Sequence, residues 1–100
     1  MRQDGGMSLF AIHYTYDDRA AERDAARPEH RAYLLDLAAQ GKAPVFGRYE
    51  DEGTPGALIV FDAASLEEAQ AMVAADPYVR AGLVPEHSIR AWPASGPWTA

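Results

Sequence analysis

Stretches that alternate with period two and stretches with helical spacing follow one another along this chain in the order β-α-β-β-α-β, and that order constrains the fold more than any other feature. Residues 8–16 (S-L-F-A-I-H-Y-T-Y) are rich in β-branched and aromatic side chains and read as a strand. Phe10, Ile12 and Tyr14 share one of its faces; Leu9, Ala11, His13 and Thr15 share the other, so both faces lean apolar and the strand is expected to be central. Good helix formers run from Asp17 to Gln40, with Gly41 as a stop. Pro28 removes a donor and crowds the preceding turn, so a break is expected there, with a first helical piece over 18–26 and a main helix over 28–40.

Two further strands, 43–49 and 57–62, flank E-D-E-G-T-P-G and are expected to form an antiparallel hairpin. Ser65 and Glu68 have capping-box spacing, and Leu66, Ala69 and Val73 continue a helix to residue 75. Asp76-Pro77 opens a short helical turn that Gly82 closes, and residues 84–92 supply a last strand. This is an α+β, ferredoxin-like split βαβ order. Right-handed crossovers place both helices on one face of a four-stranded antiparallel sheet and leave the other face open. Of 48 apolar residues in 100, twenty are alanine, so large core side chains are few. Stacking of two open sheet faces in a homodimer is therefore expected.

A chain this short buries only about 60–65% of its unfolded surface and holds one core. The single domain is expected over 7–93, with flexible termini at 1–6 and 94–100, and Met7 is a possible alternative start. A net charge of −6 has the wrong sign for a nucleic-acid binder, and no apolar run is long enough to cross a membrane. With no cysteine there is no disulfide, no thiolate nucleophile and no finger-type zinc site. Together with the lack of a signal-like apolar segment at the start, this points to the cytoplasm.

Among the three histidines, His30 has Leu34 and Leu37 four and seven residues on, which places it on the apolar stripe of the main helix, facing the sheet. Alone, such a residue reads as a core histidine satisfied by a neighbour, and Asp76 alone reads as an N-cap. The topology couples them. Both helical segments run the same way, Asp76 lies about 16 Å beyond the start of the second, and His30 about 18 Å along the first, so the side chains are expected at similar height. A carboxylate on one imidazole nitrogen would fix the tautomer and raise the basicity of the other, as a general acid/base requires.

The R-P-E-H segment at 27–30, the A-D-P-Y-V-R-A-G-L segment at 75–83 and the capped S-L-E-E-A helix start at 65–69 resemble, in order and spacing, the YCII-related (YciI-like) family. The resemblance spans residues 7–92 and implies a dimeric α+β barrel with a site centred on His30 and Asp76. It also implies pocket roles for Arg27 and Tyr78, whose bland alternatives are a surface ion pair and a packed ring. His13 is a further candidate for substrate contact, although a partner-facing side chain is the stronger reading. His87 is assigned no role. Where the family often carries Gly-Pro, this chain has Gly47-Arg48, so that wall differs in charge and shape.

The resemblance extends to a related dehydrochlorinase acting on a chlorinated hydroxyquinol, so it implies a scaffold able to support an elimination, and small-molecule lyase or isomerase chemistry without a metal or cofactor is expected. The alternative is a non-catalytic binder of a metabolite or of haem, as some dimeric α+β barrels are. No G-x-G-x-x-G, Walker loop, H-x-x-x-H or nucleophile elbow is present, and the E-D-E run at 50–52 reads as solvated charge in a loop.

Overall fold

The computed structural model describes residues 8–96. The expected flexible start at 1–6, Met7 and the last four residues of the tail lie outside these. The elements are β1 (Ser8–Thr15), α1 (Ala20–Ala39), β2 (Val45–Arg48), β3 (Gly56–Ala63), α2 (Leu66–Ala74), α3 (Pro77–Arg80) and β4 (Glu86–Ala91). The sheet order is β2-β3-β1-β4 with every neighbouring pair antiparallel, the ferredoxin-like arrangement. Among the described residues, no helix is long and apolar enough to cross a membrane.

Register follows from which face is buried, because a slip of one residue would turn the apolar set outward. Ile12 lies opposite Ile59 on one side and Ile89 on the other, and Phe10 lies opposite Phe61. With Tyr14 they form the face covered by Leu34 and Leu37 of α1 and by Ala69, Met72 and Val73 of α2. The opposite face carries Ala11, His13, Leu58 and Arg90, with Val45 and Trp92 exposed at its margins.

The expected break at Pro28 is not there: α1 runs unbroken for 20 residues with Pro28 inside it. Both Pro28 and Asp24, whose carbonyl loses the bond, are exposed, so water can satisfy that carbonyl. The buried stripe of Arg23, His30, Leu34 and Leu37 lies on the other side and holds the two halves in line. After Gln40 the chain turns through Gly41 at φ 77°, with Gly41 N–H donating to Ala38 and Lys42 N–H to Leu37, a Schellman end.

At α2, Ser65 Oγ accepts from Glu68 N–H at 3.1 Å, while the Glu68 carboxylate accepts from Ala64 N–H rather than from the cap residue itself. Tyr33 of α1 donates its hydroxyl to the Met72 carbonyl at 2.6 Å, which ties the two long helices together. The β2–β3 hairpin is held at its root: Tyr49 N–H donates to Gly56 and Tyr16 N–H to Pro55. A Cβ at Gly56 would collide with the Tyr14 backbone carbonyl. Gly56→Ala is therefore expected to destabilise the domain by about 1–3 kcal/mol in urea unfolding, through forced displacement of the hairpin; an unchanged midpoint would show that the hairpin is not pinned there.

Candidate active site

Asp76 is the N-cap of α3, placed there because Pro77 is pre-set for the first helical position and lacks the N–H a helix start leaves over. Its side chain is fully buried. A carboxylate only accepts, and three donors meet it: Tyr78 N–H at 2.9 Å and His30 Nδ1–H at 2.8 Å on Oδ1, and the Tyr14 hydroxyl at 2.8 Å on Oδ2. The cap and the His–Asp pair are thus the same carboxylate in two uses. With Nδ1–H engaged, Nε2 is the unprotonated nitrogen of the neutral ring. Among the described residues nothing bonds Nε2 and every buried side-chain N or O has a partner, so Nε2 is open to the cavity that His30 lines.

Rings fix the imidazole from the side. Tyr78 stacks flat on His30, centroids 3.8 Å apart and planes 4° from parallel, and Tyr16 meets Tyr78 edge-on at 5.8 Å. The Arg23 guanidinium sits 4.7 Å over the Tyr16 ring while donating to the Asp17 carbonyl. Burial first, then the charge of Asp76 and the hydrogen bond to it, hold the Tyr14 phenol far above its ordinary range. Tyr14 therefore remains a donor to Asp76. Burial likewise raises Tyr16 and Tyr78.

The cavity, about 290 Å³, lies between one face of α1, the β2–β3 hairpin and Tyr78 of α3. His30, 8% exposed, forms part of its wall with Tyr16, Phe46 and Tyr49, while Arg27, Arg31 and Arg48 add positive charge. Arg27, His30 and Tyr78 come together as expected from the sequence, with Asp76 directly behind His30. His13 does not join them. Strand alternation turns it to the other face of β1, where its ring stacks with Tyr49 and its Nδ1 lies 2.9 Å from the Tyr49 hydroxyl. His87 is exposed, edge-on to Tyr14 at 6.5 Å.

Sequence reasoning missed Tyr14, Tyr16 and the arginine stripe. A tyrosine on the core face of a strand needs a partner for its hydroxyl, which marks Tyr14. Arg23, Arg27 and Arg31, at four-residue spacing beside His30, were legible as one helix face.

A ferredoxin-like α+β domain with a buried carboxylate behind a cavity-lining histidine is the class that fold and site define. The chain belongs to the YCII-related family, whose model matches residues 7–93. It is similar to the structure of 5-chloro-2-hydroxyhydroquinone dehydrochlorinase from Burkholderia phenoliruptrix AC1100 in complex with 2,5-dihydroxybenzoquinone. The identity is 26%, with a TM-score of 0.76 over 87% of this chain and 95% of that one. PA3566 from Pseudomonas aeruginosa shares the fold at 14% identity and a TM-score of 0.55, over 94% of this chain and all of the other. No curated protein matches the chain significantly.

Tyr14→Phe is expected to cost about 1–3 kcal/mol of stability by leaving Asp76 Oδ2 without its donor. Because the Tyr14 phenol is raised in the folded state, its contribution is complete below the unfolded tyrosine value near pH 10 and is lost as pH climbs above it. The wild-type chain should lose stability above about pH 10 more steeply than Tyr14→Phe, as read by urea midpoints across that range; parallel curves would contradict this.

Proposed function

We propose that this protein is a small-molecule enzyme that uses His30 and Asp76 as a general acid/base pair for an elimination or isomerisation. The observation that carries the reading is the 2.8 Å contact between His30 Nδ1 and a fully buried Asp76, with Nε2 left open to the cavity. Nε2 takes a proton from a hydroxylated or carbonyl-containing substrate. Where the proton comes from carbon, the C–H electron pair becomes the new π bond. In an elimination a leaving group departs with its bonding pair; in an isomerisation the imidazolium returns the proton to a second carbon. Asp76 stabilises the imidazolium as it forms, and Arg27 counters charge growing on the substrate oxygen. Similarity to a dehydrochlorinase supports a lyase-like activity.

A second reading keeps the cavity as a non-catalytic metabolite site. Haem fits the residues poorly: a cavity of about 290 Å³ has room for one substituted ring rather than four, and Asp76 and the Tyr78 ring already hold the imidazole on two sides. An activity screen over chlorinated and hydroxylated aromatics, lactones and small keto acids separates the readings. Turnover should fall at least about 100-fold in His30→Ala and markedly in Asp76→Asn. Turnover unchanged in His30→Ala would leave the binding reading in front.

The protein is further proposed to be a homodimer through the sheet face that carries Ala11, His13 and Leu58. The exposure of His13, Val45 and Trp92 around that face supports this, since a sheet with one apolar-leaning face uncovered gains by pairing. Light scattering at micromolar concentration should give about twice the 10.9 kDa of the chain; a monomer mass would overturn the dimer.

A further inference from the structure

The chain carries fifteen acidic residues against nine basic ones, yet four of those nine, Arg23, Arg27, Arg31 and Arg48, line the cavity beside His30, with Asp24 as the one carboxylate among the described residues. Three of the four recur at four-residue intervals on α1, and like charges so placed weaken a helix rather than strengthen it. Arg23 is committed to Asp17 and to the Tyr16 ring. Arg48 has only a 3.6 Å pair with Glu50, both side chains mostly exposed, a geometry that screening makes weak. Among the described residues, Arg27 and Arg31 have no ion-pair partner. Two guanidinium groups without an ion pair and a third only weakly paired can thus meet an anion at the mouth, while Tyr16, Phe46 and Tyr49 give the wall the flat surfaces that favour a ring. Size agrees, since a cavity of about 150 Å³ admits benzene and this one is about 290 Å³, leaving room for substituents.

We propose that the substrate is a hydroxylated aromatic acid whose carboxylate is held by Arg31 and Arg48 while its ring reaches Nε2 of His30. The proposal rests on the cavity being the substrate site, and it adds to the acid/base reading a fixed negative charge on the substrate, separate from the reacting centre. A planar carboxylate matches the guanidinium fork, so one arginine can bind it with two parallel hydrogen bonds while the other donates to an outer lone pair. Arg31 and Arg48 come from opposite walls, α1 and the β2 edge strand, so the carboxylate bridges the mouth.

The test uses 2,5-dihydroxybenzoate and 2,5-dihydroxybenzamide as probes, which differ in charge and little in shape, with binding to the full chain measured by calorimetry. At low salt the acid should bind at least about tenfold more tightly than the amide, and the preference should shrink as salt is raised. Arg31→Gln/Arg48→Gln should lose the preference with a thermal midpoint no lower than wild type, and Arg48→Gln alone, on an exposed edge strand, should lose part of it. Equal affinity for the two probes, no binding of either, or an undiminished preference in the double variant would overturn the proposal. Because no turnover is read, a failed acid/base mechanism leaves this result standing, and a failed preference leaves the mechanism standing.

Discussion

A buried carboxylate, Asp76, holds this molecule together at the back of its cavity. Asp76 has no exposed surface, and an ion taken out of water without compensation is costly by several kcal/mol even after relaxation. Three hydrogen bonds to a charged acceptor, each worth about 1.5–3 kcal/mol, are of the size needed to offset that cost. Each donor comes from a different place: Tyr14 from the central strand β1, His30 from the middle of α1, and the Tyr78 amide from the first turn of α3. Loss of any one leaves a lone pair in a dry environment, so the geometry of the site and the docking of three elements are one constraint.

The three donors are not equivalent in what they leave behind. The Tyr78 amide and the Tyr14 phenol are consumed by the contact, and burial beside a carboxylate keeps that phenol protonated. His30 alone has a second functional atom. Holding Nδ1–H against Asp76 and the ring flat against Tyr78 removes the rotational freedom of the imidazole and directs what remains of its chemistry through Nε2. Tyr16 meets Tyr78 edge-on and Arg23 lies over Tyr16, so the imidazole is held by a chain of contacts reaching to the start of α1.

The strand faces, the element order, the caps at Ser65 and Asp76 and the approach of His30 to Asp76 were all legible, because periodicity, turn chemistry and helical rise are local and additive. Asp76 was ambiguous between cap and acid/base partner only if a carboxylate is counted as one acceptor; with two oxygens it serves the Tyr78 amide, His30 and Tyr14 together. Pro28 misled because its cost depends on what lies at Asp24, and the solvent there is a tertiary fact. His13 lies on a strand whose two faces both lean apolar, so only the packing of α1 and α2 decides which face meets the cavity. The ring stacking of His30 on Tyr78 has no sequence signature, since the two residues lie 48 positions apart and meet only after α3 docks.

The two walls of the cavity differ in how firmly they are held. His30, Asp76 and Tyr78 sit where β1, α1 and α3 converge, buried and joined through the Asp76 carboxylate, so a substitution there disturbs the packing of all three elements. The facing wall is β2, a four-residue edge strand that pairs on one side only and whose Val45, Gly47 and Arg48 are exposed. Residues on such a strand can change with little effect on the core, provided the hairpin root at Gly56 is kept. Arg48 stands on that wall, mostly exposed and paired only weakly with Glu50. The physical arrangement therefore separates a buried His30–Asp76 pair that the fold cannot easily alter from a charge-bearing rim that it can, and the rim is free to change without moving the imidazole.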